Sequence, residues 1–287
     1  MIINEYLILT GINILLAWSC YVILLTGQIS IGNAAFMAIG GYLSGILTVK
    51  FGLPLVLALI IATLATAVFG VVIGFPAIRL SGVYLIMVTI GVASSVQTLF
   101  ENIEYVGGVQ GLSGMSGTSV SVVIISLVIV GAIIWLISKS PLQRIFEAVR
   151  EDEQVAASVG VHVTTVKVAA FGFGAAIAAL GGGLYSHYMT YISPDVFGIM
   201  TSIIMLLYVI FGGTNNMWGP VLGAVIMTLL PEFIRFLADW RITVFGLLIV
   251  IILLFRPEGL LAFRTPTVRL RSSDTKPVQL SSSTIKQ

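Results

Sequence analysis

Apolar blocks about 20 residues long recur along the chain and alternate with short polar segments. A block of this length can cross the roughly 30 Å hydrocarbon core of a membrane as an α-helix. The pattern predicts six secure spans, over residues 6–25, 29–49, 54–75, 83–100, 120–137 and 166–187. Two further spans are predicted within 199–237, where 212–216 interrupt the apolar run, and a short one over 242–255. We therefore predict an all-α, polytopic transmembrane helical bundle of about nine spans, within a range of eight to ten.

The composition supports lipid as the solvent of this chain. Hydrophobic residues make up 58% of the 287 residues and charged residues only 9%, against about 25% charged in an ordinary soluble domain. A mean hydropathy of +1.09 leaves too few polar side chains to cover a soluble surface. The net charge of +2 is too small to indicate nucleic acid as a partner. The single cysteine, Cys20, provides neither a disulfide framework nor a zinc site.

Two segments with different roles are predicted along the sequence. Residues 1–263 form the membrane domain, which includes a cytoplasmic loop at 139–165. Residues 264–287 are rich in Ser, Thr and basic residues, so we expect a disordered cytoplasmic tail that anionic lipid attracts. The N-terminal block lacks the basic start of a signal peptide, since its first charged residue is Glu5, and we expect it to be a retained span.

The positions of the basic residues predict the orientation of the bundle. With nine spans, of the 14 Lys and Arg residues only Lys50, Arg235 and Arg241 fall on one side. Basic residues favour the cytoplasmic side of a membrane protein. The loop 139–165 and the C-terminus are therefore predicted to be cytoplasmic, and the N-terminus to lie outside.

The interiors of the spans contain glycines rather than charges. Gly41 and Gly45, like Gly219 and Gly223, are four residues apart, a spacing that lets two helices approach closely. Tight packing is one interpretation of these pairs, and lining or hinging a transport path is the other. No acidic or basic residue falls in the middle of a predicted span, which argues against a proton-coupled or ion-coupled pathway. We expect His187, near a span end, to be an interfacial residue rather than a proton relay.

The loop 139–165 has the sequence features of an amphipathic helix. Ser140, Pro141 and Gln143 fit an N-cap, a first helical position and the reciprocal arm of a capping box. The apolar residues that follow share one face of the helix: Leu142, Ile145, Phe146 and Val149. The charged run 150–153 comes next, followed by small residues that permit close approach or a turn. On these patterns alone, a solvated helix resting on the bundle and a protein-docking helix are both open.

Seven segments, in order, resemble the permease subunits of branched-chain amino acid ABC importers, the LivM-type family. One segment is the loop, with Ser140-Pro-Leu-Gln-Arg144 and Arg150-Glu-Asp-Glu153. The others are 27–36, 79–84, 107–112, 193–195, 212–220 and 255–260. The resemblance covers nearly the whole membrane portion.

The resemblance implies that the loop corresponds to the EAA motif, whose short coupling helix sits in a groove of an ATPase subunit. Carried over by position, the residues that make the coupling contacts are Arg144, Glu147, Arg150, Glu151, Asp152, Glu153, Ala156, Ala157 and Gly160. The charged members would form charged contacts and the three small ones close packing. No substrate-binding residue is assigned.

The resemblance also implies the partners. They are a homologous second permease, two cytoplasmic ABC ATPases and a periplasmic or lipid-anchored solute-binding protein, in the inner membrane of a bacterial or archaeal cell. The sequence lacks a G-x-x-x-x-G-K-[ST] phosphate loop, so we expect ATP to be bound by the partner ATPases and this chain to be neither an enzyme nor a cofactor carrier.

The expected cargo is a branched-chain or other hydrophobic amino acid, with urea or a short amide as the alternative. A secondary transporter or channel would show midplane charges or an internal repeat, and a membrane enzyme would need convergent acid, base or metal ligands. Neither pattern is evident in the sequence.

Overall fold

The computed structural model describes residues 2–77, 79, 80, 82–233 and 246, and these residues are mostly helical. The longer helices are α1 (Ile2–Leu24), α2 (Asn33–Val49), α3 (Leu55–Ala77), α4 (Val83–Asn102), α5 (Val120–Lys139), α8 (Val163–Met189), α9 (Ile199–Gly212) and α10 (Trp218–Phe233). Between α5 and α8 lie the short helices α6 (Pro141–Glu151) and α7 (Glu153–Ser158). Single turns of 3-10 helix occur at Glu104–Val106, Gly108–Gln110 and Pro194–Phe197.

Five described helices, α1, α3, α4, α5 and α8, are long and apolar enough to cross a membrane. The helices α2, α9 and α10 are apolar but shorter. The predicted all-α polytopic bundle is confirmed, and α9 and α10 are separated at the predicted interruption. The ninth predicted span, 242–255, lies outside the described residues except for residue 246, and the tail 264–287 lies outside them entirely.

The start of the second span was predicted four residues too early. Residues 29–32 are apolar enough to extend the block, yet α2 begins only at Asn33. Gly27 has φ of +77°, which turns the chain after α1, and the Ser30 hydroxyl accepts a hydrogen bond from the Gly32 amide at 3.2 Å. Thr89 of α4 accepts a second one from the Ile31 amide at 3.1 Å. These bonds satisfy backbone groups that a helix would otherwise satisfy internally.

The helix α8 lies at the centre of the bundle, where it packs against α1, α2 and α3. Its contact with α2 depends on glycine. A Cβ atom on Gly40 would lie 2.3 Å from Ala179 Cα, and one on Gly182 would lie 2.0 Å from the Met37 carbonyl oxygen. The two backbones touch only because these side chains are missing, which confirms tight packing as a role of the glycines in this part of the bundle.

One end of the bundle, called the Lys50 end, gathers the loops after α2, α4 and α8. Leu112 pairs with Ile192 in an antiparallel ladder of two short strands, β1 (Leu112–Ser113) and β2 (Tyr191–Ile192). The Thr118 hydroxyl also donates to the Leu184 carbonyl at 3.0 Å. The sequence placed these loops on one side but did not predict the strands.

His187 lies in the last turn of α8, near a span end as expected, but it is buried in the bundle. Only 2% of its surface is exposed. Its Nδ1 lies 2.8 Å from the Gly183 carbonyl oxygen and its Nε2 lies 2.9 Å from the Thr48 hydroxyl of α2. The imidazole therefore joins α8 to α2 inside the bundle.

Candidate functional site

The candidate site is the surface formed by α6 and α7 at the opposite end of the bundle, called the Arg150 end. The helix α6 begins as predicted, with Pro141 in its first turn and Ser140 Oγ accepting a hydrogen bond from the Leu142 amide at 3.2 Å. The prediction that Gln143 forms the reciprocal arm of a capping box is wrong. Gln143 Nε2 donates instead to Glu147 Oε1 at 3.0 Å, because the two side chains are neighbours one helical turn apart.

The apolar face of α6 lies against the bundle. Val149 is 1% exposed, and Ile145 and Phe146 are half-buried. Leu142, at the start of the helix, remains 47% exposed. This burial fixes the rotation of α6 and turns its charged side outward, where Arg144, Glu147, Arg150 and Glu151 are exposed.

Asp152 divides the loop into two helices, which the sequence analysis did not anticipate. Its backbone is extended, with φ of −155° and ψ of 110°, so α6 ends there. Its Oδ1 accepts hydrogen bonds from the Gln154 amide at 2.8 Å and the Val155 amide at 3.1 Å, which caps α7. The sequence signal for this cap is an Asp directly before a short helical run. It was missed because Asp152 stands among four consecutive charged residues.

The end of α7 is a Schellman motif built on Gly160. The Gly160 amide donates to the Ala157 carbonyl at 3.0 Å and the Val161 amide to the Ala156 carbonyl at 3.1 Å. Gly160 has φ of +88°, and an added Cβ would meet nothing within 4 Å. Gly160 therefore serves a turn within this chain, and the close packing expected from the resemblance, which concerns a partner, stays a prediction. Of the two alanines, Ala156 is 1% exposed and packs inward, whereas Ala157 is exposed.

Two polar contacts brace this surface against the bundle. Lys167 of α8, whose side chain is 6% exposed, forms an ion pair with Glu153, whose side chain is 52% exposed. Arg150 Nη2 donates to Thr214 Oγ1, in the connection between α9 and α10, at 3.3 Å. Gly27, between α1 and α2, also lies against Arg150, since a Cβ atom added to Gly27 would lie 3.3 Å from Arg150 Cα. The structure thus brings three connections together at the Arg150 end.

These contacts sort the predicted charged residues into two groups. Asp152, Glu153 and Arg150 are engaged within the chain, by the cap, the ion pair and the Thr214 bond. Arg144 and Glu151, by contrast, have no ion pair with any other part of the described chain.

An apolar pair that the sequence analysis missed lies on the outward face of α7 and at its C-cap. Val155 is 60% exposed and Val159 is 73% exposed, and their spacing of four residues puts them on one side. They lie at the polar end of the bundle, next to exposed charged residues. An apolar centre beside a charged rim is typical of a protein interface.

Comparison with known proteins gives the family of the chain. The family model described as the permease component of branched-chain amino acid transport systems matches residues 2–255. The chain is 29% identical to the high-affinity branched-chain amino acid transport permease LivM of Salmonella typhimurium, over 93% of this chain and 72% of that protein. The Escherichia coli LivM matches to the same extent.

A more distant relative carries a different name. The autoinducer 2 import permease LsrC of Escherichia coli is 24% identical over 85% of this chain and 75% of its own length. No solved structure matches the chain. The match over residues 2–255 covers all of the described bundle, including the α6–α7 surface. This chain therefore belongs to the permease component family of branched-chain amino acid transport systems, a family of membrane transport subunits and not of enzymes.

Proposed function

We propose that this chain is a membrane-spanning subunit of an ATP-driven importer that translocates branched-chain or other hydrophobic amino acids. The family match over residues 2–255 supports the transport role. The LivM relatives, at 29% identity over 93% of the chain, favour amino acids as cargo. Urea or a short amide is the alternative cargo, and the LsrC relative indicates that permeases of similar sequence serve solutes of more than one class.

The α6–α7 surface docks an ATPase subunit. The observation that carries this proposal is the exposure of Val155 on α7 and of Val159 at its C-cap. Burial of a valine against a partner contributes roughly 1.5 kcal/mol or more, so the pair provides a favourable centre for an interface. Arg144 and Glu151, which are unpaired within the described chain, provide opposite charges at its edge. Charges at such a position govern the choice of partner and the association rate.

The bracing contacts provide a route from the ATPase to the bundle. The Glu153–Lys167 ion pair ties α7 to the start of α8, the central helix. The Arg150 contacts tie α6 to the connections α1–α2 and α9–α10. When ATP binding closes the ATPases, a shift of α6 and α7 moves α8 and both connections together. This motion switches the bundle between its outward-open and inward-open states.

In this proposal the Arg150 end is cytoplasmic, the N-terminus lies outside and the C-terminus lies inside the cell. The partners are a homologous second permease, two cytoplasmic ATPases that hold the ATP, and a periplasmic or lipid-anchored solute-binding protein. The binding protein docks at the Lys50 end, on the loops 101–119 and 191–197. This arrangement puts the exposed Lys139, Arg144 and Arg150 on the cytoplasmic side, in accordance with the positive-inside rule.

Affinity purification of the tagged chain from its native membranes tests the docking surface. The test variant carries Val155→Asp and Val159→Asp, and the second carries Arg144→Glu and Glu151→Arg, which keeps the net charge unchanged. Thr165→Asp is the matched control, because it adds a charge at the same end at an exposed position outside α7. The Asp pair is expected to lower the copurified ATPase at least about tenfold, since charged groups would face a desolvated contact.

The second permease is the internal reference of this experiment. It should copurify equally with every variant, because α6 and α7 do not contribute to its contact. ATPase that is retained by both test variants would place docking elsewhere on the chain. A chain that purifies alone and transports in liposomes without ATP would be a secondary transporter or channel. Uptake of labelled leucine against labelled urea in the reconstituted complex identifies the cargo class.

A further inference from the structure

The outward face of α4 changes character halfway along the helix. From its middle to its end, the outward positions other than Leu99 carry glycine, hydroxyl or amide groups, and these five residues are called the α4 polar face: Gly91, Ser94, Ser95, Thr98 and Asn102. All of them except the half-buried Ser94 are exposed. An open cavity of about 580 Å³ lies against this face, lined by Ser94, Ser95, Thr98, Leu99, Asn102 and Ile103.

The α4 polar face reaches from the Lys50 end to the middle of the membrane. At 1.5 Å per residue, Gly91 lies about 16 Å from Asn102 along the helix, which is roughly half the thickness of the hydrocarbon core. Toward the other end, the same side of α4 carries large apolar groups, with Tyr84 70% exposed and Met87 61% exposed. The polar lining therefore ends near the midplane.

The neighbouring outward helix α5 has the surface expected against lipid. Its outward positions are apolar along the span, with Ile124 52%, Val128 64% and Leu136 60% exposed. The outward side of α3 is similar, with Leu64 62% and Val68 65% exposed. The polar face of α4 therefore cannot be explained as ordinary lipid-facing surface of this bundle.

The hydroxyl groups support this distinction. On α5, Ser126 returns its hydroxyl to the Val122 carbonyl at 2.9 Å, as a serine in an apolar environment does. Ser94, Ser95 and Thr98 donate no side-chain hydrogen bond to any described residue. A hydroxyl without a partner is unfavourable in hydrocarbon, so this face meets water or a polar solute.

We propose that the α4 polar face is one wall of a water-filled solute path, a vestibule that opens at the Lys50 end and faces the second permease subunit. This inference rests on the proposed function, because it assumes a transported solute and a partner permease. The wall has hydroxyls that donate and accept hydrogen bonds, and no charged side chain from Gly91 to Thr98. Leu99, 55% exposed, adds an apolar contact beside them.

This lining suits a small solute without net charge that has both polar and apolar parts. A zwitterionic amino acid with an apolar side chain fits this description: its carboxylate accepts hydrogen bonds from the hydroxyls, and its ammonium donates to the hydroxyl oxygens. The half-buried pair of Gln97 and Glu101, joined at 3.0 Å, lies on the same half of α4 but does not line the cavity. No single residue of the wall selects the solute by charge.

Cysteine accessibility in the assembled complex tests the vestibule. The test variants are Ser95→Cys, Thr98→Cys and Leu99→Cys, which change side-chain size only slightly. Ile124→Cys and Val128→Cys are the matched controls, because they lie at similar depths on the outward face of α5. The native Cys20 is only 4% exposed and serves as the background. The reagent is a membrane-impermeant trimethylammonium methanethiosulfonate, added from the side of the binding protein.

The α4 thiols are expected to react at least about tenfold faster than the α5 thiols, because only a thiol in water ionises and reacts. Modification of Ser95→Cys or Thr98→Cys should then block transport, and saturating leucine should slow the modification. Equal reaction of the α4 and α5 thiols would overturn the vestibule.

The proposed function is scored separately in the same membranes, by copurified ATPase and by ATP-dependent uptake before the reagent is added. If the ATPase is present and uptake requires ATP while the α4 thiols stay unreactive, the vestibule proposal is wrong and the proposed importer function is supported. If the α4 thiols react but uptake needs no ATP, the proposed solute path is supported and the proposed ATP-driven function is wrong.

Discussion

Two regions that both pack against α8 are built in opposite ways. The contact between α2 and α8 is buried and requires missing side chains, since a Cβ at Gly182 would lie 2.0 Å from the Met37 carbonyl oxygen. The α6–α7 surface is braced to α8 through Lys167 and Glu153, yet it leaves Val155 and Val159 exposed. Changes in the first region should therefore decide whether the bundle forms, and changes in the second should decide which partner it engages.

The largest effect is expected for Gly182→Val. The new side chain has no space at the contact with Met37, so the two helices must separate, and overpacking of this severity costs at least about 3 kcal/mol. The yield of monodisperse protein after detergent extraction should collapse. Gly91→Val is the control, because a Cβ there meets nothing within 4 Å, and its yield should be close to that of the wild type. Similar yields for the two variants would contradict the distinction between the regions.

An intermediate effect is expected at the ion pair, with a definite order. Glu153→Gln leaves the ammonium of the buried Lys167 without its partner carboxylate, at a cost of about 1–3 kcal/mol. Lys167→Met leaves a carboxylate that is half exposed and can be hydrated, so its cost should be smaller. Thermal unfolding midpoints should therefore fall in the order wild type, Lys167→Met, Glu153→Gln. The reverse order would mean that the lysine reaches water without Glu153.

The smallest effect on stability is expected for Gly160→Ala. Alanine must adopt a φ near +88°, which costs about 1–2 kcal/mol, although there is space for its methyl group. The thermal midpoint should fall by a few degrees at most. ATPase copurification should fall more clearly, because the end of α7 would be redirected. A loss of stability without any loss of ATPase would show that Gly160 does not position the docking surface.

Much of the fold follows from hydropathy, and its failures have physical causes. The spans α1, α3, α4, α5 and α8 are continuous apolar blocks. The start of α2 was misplaced because Ile29 and Ile31 are apolar. The amides of Ile31 and Gly32 donate to the hydroxyls of Thr89 and Ser30, which holds this segment outside the helix. The pairing of β1 with β2 joins residues about 80 positions apart, and no local pattern reports such a contact.

The candidate site was predicted in position but not in detail. Capping and amphipathic signals located α6, and the order of the sequence segments pointed to the loop that we propose as the docking surface. Side-chain contacts show roles that the sequence pattern does not: Asp152 caps α7 and Glu153 pairs with Lys167. Arg144 and Glu151 form no ion pair with another described residue. The α4 polar face escaped notice because hydropathy averages over all sides of a helix, and the helix as a whole is apolar.

The bracing of α6 and α7 has a consequence for building chimeric permeases. A loop transplanted from a relative to change the ATPase preference would arrive without the groups that hold it, which lie outside the loop at Gly27, Lys167 and Thr214. A graft of residues 140–162 alone should pack poorly against the bundle, even if its outward face matches the new ATPase. The transferable unit is the loop together with those three positions, although they are far apart in the sequence.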